Sequence, residues 1–247
     1  MLTSTYVHVR GIDAKSERSL WEQGALSWRD FLGDPKRFVT EKADIAKIEK
    51  SVTASVKALD RGVHQYFANR LPRREHWRAF PEFRDSLVYL DVETEGSFRE
   101  DTITMVGLYD GVAYMPFIKG ENLVEFPDAI SMYSTVVTFF GSGFDLPMLA
   151  REFPSIELDQ LHIDLCPTMR RLGYRGGLKS IERQFGIERS TETRGLTGRD
   201  AVILWRQYLR GRDSALDTLV QYNKEDVVNL ERLMEATYSD LRLMVMG

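Results

Sequence analysis

The chain has 247 residues, 43% of them hydrophobic and 28% charged, with a formal net charge of −4. That composition excludes a disordered or low-complexity polypeptide, and no apolar run approaches the roughly 18 residues that a bilayer span needs. The single cysteine, Cys166, excludes an internal disulfide and any zinc site built from several thiolates, and with no signal-peptide pattern the expected compartment is the cytoplasm.

The front of the chain is basic. Residues 1–84 hold 16 Lys+Arg against 11 Asp+Glu, a net of +5, and the remainder holds 17 against 26, a net of −9. Residues 1–80 read as a helical region. Asp13 can cap a helix running to Gly24, and a second helix starts at Trp28 and stops at Gly33-Asp34-Pro35. The stretch around Gly11-Ile12-Asp13 resembles a degenerate helix-hairpin-helix element, whose backbone N–H groups would face a DNA phosphate. Asp13 would repel that phosphate, so a purely structural hairpin stays open beside it. From Glu41 a long amphipathic helix is predicted, with Ile45, Ile48, Val52, Leu59, Val63 and Tyr66 at three- and four-residue spacings. Residues 72–86, flanked by Pro72 and Pro81, read as an irregular linker.

The rhythm then changes to strands. Residues 86–91 form a predicted strand, 102–109 and 112–118 a hairpin around Asp110-Gly111, 121–133 a helix and 135–140 an apolar strand. A helix from Phe144 to Glu152, a short strand over 161–165 and helices over 177–186, 198–210 and 213–238 complete the series. This order predicts an α/β fold, a mixed sheet flanked by helices.

Three acidic blocks stand out along it. In "LVYLDVETEG" (87–96), Asp91 and Glu93 alternate onto one face of a strand that is otherwise apolar. Two carboxylates so placed repel each other and resist burial unless a cation neutralises them. In "VVTFFGSGFDLPML" (136–149), a strand runs into Gly-Ser-Gly and Asp145 then opens a helix at the strand's carboxyl end. In "YNKEDVVNLERL" (222–233), Tyr222 and Asp226 are four apart and share one helix face.

In this order the blocks resemble the DEDD superfamily of exonucleases on the ribonuclease H fold, in its Tyr subgroup. Within it, phrases such as "YLDVET", "FDLP", "HIDL", "LKSIE" and "YNKEDVVNL" are similar to the YprB-type RNase H-like family. The resemblance covers roughly residues 84–237 and implies a ribonuclease H-like exonuclease domain over 84–240. It implies Asp91, Glu93, Asp145 and Asp226 as metal ligands, Tyr222 as the residue that orients the attacking water, and 3′→5′ polarity. Four carboxylates with oxygen donors alone suit two hard divalent cations, Mg²⁺ or Mn²⁺. The implied partner is a single-stranded end of DNA or RNA, with no membrane.

One block departs from the family pattern. Where relatives usually read Asn-Gly-x-x-Phe-Asp, this chain has Phe140-Gly141-Ser142-Gly143-Phe144-Asp145. Phe140 and Phe144 are therefore candidates to touch substrate, with a core role open for Phe140. "MRRLGYRGGLKSIERQFGIER" (169–189) gathers basic residues around glycines, and Lys179 and Arg175 are the expected phosphate contacts. Asp164 is expected to cap a helix, and Glu95 to be a solvated turn residue. Two other readings remain: a catalytically silent nucleic-acid-binding or scaffold protein, and a two-metal endonuclease.

Overall fold

Alternation and turn chemistry build the sheet. The structure is a computed structural model that describes residues 1–39, 44–96 and 102–247. It divides into two units, Met1–Asp85 with Asp159–His162, and Ser86–Leu158 with Ile163–Gly247.

The first unit is helical, with α1 (Ala14–Glu22), α2 (Trp28–Gly33), α3 (Ile45–Asp60) and α4 (His64–Ala68). Asp13 caps α1 by accepting from the Ser16 N–H, and Asp44 caps α3 by accepting from Ala46. An aromatic core of Tyr6, Trp28, Phe31, Phe67 and Phe83 fills the centre. Two expectations need correction. The amphipathic stretch is not one helix: it stops at Asp60 and restarts at His64, because Gly62 takes φ +65, a left-handed turn that ends a helix. Its predicted start at Glu41 lies outside the described residues. Nor is 72–86 a linker. Residues Arg73–Ala79 form a 3₁₀ turn with Glu75, His76, Trp77 and Arg78 buried. Burial of those charges is possible because they pair: Arg78 donates to Glu75 at 2.7 Å and to Glu17 at 3.0 Å.

The second unit carries β1 (Leu87–Thr94), β2 (Ile103–Tyr109), β3 (Tyr114–Ile118), α5 (Phe126–Ser131), β4 (Thr135–Thr138) and α6 (Asp145–Glu152). Next come β5 (Leu161–Asp164), of which Ile163 and Asp164 fall in this unit, then α7 (Leu165–Arg171), α8 (Leu178–Gln184), α9 (Gly198–Tyr208) and the long α10 (Asp213–Met246). Strand order is β3-β2-β1-β4-β5, with β1 antiparallel to β2 and parallel to β4. This is a mixed α/β sheet. Asp110 shapes the β2–β3 turn by accepting from the Val112 and Ala113 N–H groups.

Alternation along β1 sorts its residues. Val88, Leu90 and Val92 pack with Phe126, Ile130 and Leu149 in one cluster. Asp91 and Glu93 therefore project from the opposite face, where Met105, Trp205 and Tyr222 cluster. Several boundaries differ from the sequence reading: β1 runs to Thr94 rather than stopping at 91, and α10 runs to Met246 rather than 238. The 121–133 helix is a 3₁₀ turn, Leu123–Glu125, followed by α5. Strand β4 ends at Thr138, two residues before Phe140, which turns at φ +69. The helix that Asp164 is expected to cap is α7, to which the sequence reading gives no extent; its Pro167 sits in the first turn, where a missing N–H costs nothing. Among the described residues no helix is long and apolar enough to cross a membrane.

Candidate active site

Two elements bring the acids together. From β1 come Asp91 and Glu93, and from α10 comes Asp226; one carboxylate oxygen of each lies within 4.8 Å of the others. Glu93 and Asp226 are buried and Asp91 is half-buried. Asp145, the first residue of α6, lines the same cavity of about 330 Å³ together with Tyr222, Phe140 and Phe144. It stands outside the three-acid cluster, and its Oδ1 accepts from the Val92 N–H at 2.9 Å, which ties α6 to the acidic strand.

The electrostatics of this group are those of a site short of positive charge. Burial first and then the Asp226 carboxylate push the Glu93 carboxyl up to about 8, against the pull of Lys179. Asp145 is raised to about 7, again mainly by burial and despite the Val92 N–H. Asp91 is held well above the usual carboxylate range by burial and by Asp226, Glu93 and Asp145. Glu93 Oε1 is buried with no hydrogen-bond partner. An orphaned carboxylate oxygen facing two other acids is a costly arrangement for a protein alone, and it fits a bound divalent cation. The donors are all oxygens, which suits Mg²⁺ or Mn²⁺.

Asp226 differs from its neighbours. Its Oδ1 accepts from Arg189, which also binds Glu182, and lies 3.8 Å from the Lys179 ammonium. Burial still raises its carboxyl, opposed by Arg189 and Lys179. Lys179 also donates to the Tyr222 hydroxyl, with its ammonium 4.2 Å from that ring's centroid. Burial and the acids drive the Tyr222 hydroxyl far up, so it stays protonated and can donate.

The turn between β4 and α6 is held by Asp164. That residue caps α7 through the Cys166 N–H, and it also accepts from the N–H groups of Phe140 at 2.8 Å and Ser142 at 3.0 Å. A Cβ at Gly143 would meet the Phe140 ring at 2.6 Å, so the glycine is what lets the ring lie over the turn. Phe140 is 52% exposed, which removes the option of a core role for it. Arg175 is not brought to the cavity: it is exposed, and its guanidinium donates to the carbonyls of Arg170 and Tyr174. Glu95 pairs with Lys119 at 2.7 Å.

Two residues were missed by the sequence reading. Fully buried Asn223 donates to Asp91 Oδ2 at 3.0 Å and accepts from the Tyr114 hydroxyl at 2.9 Å. Gly107, opposite Asp91 in the β1–β2 ladder, makes room for it: a Cβ there would lie 1.8 Å from Asn223 Oδ1. A glycine inside an apolar strand signals just such a close approach. Arg189 was noted only as one of a basic group, and nothing in its spacing ties it to Asp226.

No protein of curated function matches the sequence. Among solved structures, the family B DNA polymerase from the hyperthermophilic archaeon Pyrobaculum calidifontis aligns with 61% of this chain at 17% identity and a TM-score of 0.49. The Aedes aegypti Nibbler EXO domain aligns with 68% of it at 9% identity and 0.45, and 86% of that domain is covered. Escherichia coli RNase D, described as an exoribonuclease involved in structured RNA processing, aligns with 70% at 20% identity and 0.41. The chain spans 24% of the polymerase's length and 47% of that of RNase D. A sequence profile of the RNase H superfamily matches residues 88–238, more than half of the chain, and the protein belongs to that superfamily.

Proposed function

We propose that the protein is a metal-dependent nuclease that removes nucleotides from a single-stranded end of DNA or RNA with 3′→5′ polarity. The observation that carries this reading is the convergence of Asp91, Glu93 and Asp226 within 4.8 Å, with Glu93 Oε1 buried and unpartnered. Membership of the RNase H superfamily supports it. Asp91, Glu93 and Asp226 would hold the cation, with Asp145 beside them. Divalent cations bound there would lower the pKa of a water and neutralise charge on the phosphodiester oxygens.

The chain's own groups do the rest. Tyr222, kept protonated by burial and the neighbouring acids and held in place by Lys179, donates to the attacking water and orients it. Phe144 and Phe140, both exposed, offer ring faces on which terminal bases stack. Replacing Phe140 by Ala or Gly is expected to weaken oligonucleotide binding by about 5- to 150-fold, since one stacked base is worth about 1–3 kcal/mol. Because Phe140 sits at φ +69, the Gly variant should be more stable than the Ala variant by about 1 kcal/mol. Fluorescence anisotropy and thermal unfolding measure the two effects, and unchanged binding in both variants would rule out the stacking role.

The deciding experiment incubates 5′-labelled single strands of DNA and RNA with the protein in EDTA, Mg²⁺ or Mn²⁺. A ladder shortening from the 3′ end, cation-dependent and lost in Asp91→Asn and Asp226→Asn, is the expected result. Cleavage of a circular single strand would point to an endonuclease instead. The ion pair of Arg189 on Asp226 favours a second reading, a nucleic-acid-binding protein without turnover. Binding with no cleavage under any cation would select it.

A further inference from the structure

The acids of the site are unequally compensated. Among the described residues, the two ion pairs that cationic side chains make with the cluster both fall on one atom, Oδ1 of Asp226: Arg189 bonds to it directly and Lys179 stands 3.8 Å away. Glu93 has an orphaned oxygen, and the hydrogen bond to Asp91 comes from the neutral Asn223.

Arg189 is also firmly seated. Its side chain is only 6% exposed, and Glu182 grips it through two bonds, from Nε at 2.8 Å and from Nη2 at 2.6 Å. Glu182 in turn accepts from Asn229 of α10 at 2.9 Å. The segment that follows is pinned beside Asp226: the Ser190 N–H donates to Glu225 at 3.1 Å, and the Thr193 hydroxyl donates to the same carboxylate. Arg189 Nη1, by contrast, is buried with no partner. A guanidinium buried with an unused donor is held by charge rather than by a complete set of hydrogen bonds, and Asp226 supplies part of that charge.

A pair of divalent cations in a nuclease site lies about 3.5–4 Å apart and draws on every nearby carboxylate. A second dication at Asp226 Oδ1 would meet the guanidinium at contact distance, where like charges repel strongly. We propose that Arg189 stands in for a second cation. The cluster then binds one divalent cation tightly, and a second enters only when Arg189 is displaced. This inference rests on the cation site proposed above. It makes Arg189 a positioning residue that sets the number of cations.

Counting bound Mn²⁺ on the full chain by electron paramagnetic resonance tests it without any turnover. The wild type is expected to bind one Mn²⁺ per chain with an isolated-ion spectrum. Arg189→Gln is expected to bind two, with the spectrum broadened by their proximity, and Arg189→Lys, which keeps the charge, is expected to stay at one. Two Mn²⁺ of similar affinity in the wild type would overturn the inference while leaving the cation site standing, as would a count of one in a folded Arg189→Gln. No bound Mn²⁺ in the wild type would overturn the cation site and the inference with it. A wild-type count of two, or of none, decides against the inference even where Arg189→Gln fails to fold, and Arg189→Ala then serves as the second variant, with two Mn²⁺ expected and a count of one overturning it.

Discussion

Replacing Glu93 by Gln is expected to cut nuclease turnover by on the order of 10³-fold while making the cation-free protein more stable. The loss of turnover follows from removing one of the three clustered carboxylates. The gain in stability follows from the sign of the Glu93 shift. Its carboxyl titrates near 8 in the folded chain against 4.5 ordinarily, with burial as the main cause. Below the lower value it is protonated in both states, and Gln is close to its isostere. Between the two values the unfolded chain has released a proton that the folded chain still holds, so wild-type stability declines as pH rises. Above about 8 the folded site carries the charge and the decline is complete, at a few kcal/mol by linkage. Urea denaturation in EDTA should therefore show the variants together near about pH 5 and Gln ahead by about pH 8.5. Adding Mn²⁺ should reverse that order, because only the wild type gains from binding. A Gln variant less stable than wild type at the higher pH would refute the account of Glu93 as an uncompensated buried acid.

The same contrast between local and distant causes explains what could be read in advance. Strand alternation alone puts Asp91 and Glu93 on one face, and helical spacing puts Tyr222 and Asp226 on one face. That the two faces meet is not a property of spacing; it rested on the resemblance. Register across the sheet was invisible, and with it the opposition of Asp91 to Gly107 and the approach of Asn223. The partnership of Arg189 with Asp226 spans 37 positions with no local signature. Burial of "EHWR" at 75–78 was misread for a related reason. Charged residues look solvated until a distant partner such as Glu17 is brought to Arg78. The break at Gly62 had a local cause in plain view, and the apolar repeat running past it from Ile45 to Tyr66 concealed it.

Gly107 supplies the sharpest test of how the sheet positions the acids. Its backbone is ordinary, so any effect of a side chain there is steric. A Cβ would fall 1.8 Å from Asn223 Oδ1 and 2.8 Å from its Cγ, and the Tyr114 ring stands at 3.2 Å. Asn223 is fully buried in the middle of α10, so it cannot swing into solvent. Gly107→Ala is therefore expected to lower stability by about 1–3 kcal/mol, as overpacking does. It should also lower Mn²⁺ affinity by about 10–100-fold, because Asn223 leaves Asp91 without its donor. The two effects separate in the double variant Gly107→Ala, Asn223→Ala. Removing the amide makes room for the methyl group, so stability should recover in part relative to Gly107→Ala. The hydrogen bond to Asp91 is still missing, so cation affinity should stay low. Denaturant unfolding and Mn²⁺ titration of the two single variants and the double variant close the cycle. Recovery of affinity together with stability would mean that the glycine matters for packing alone and that Asn223 does not orient Asp91.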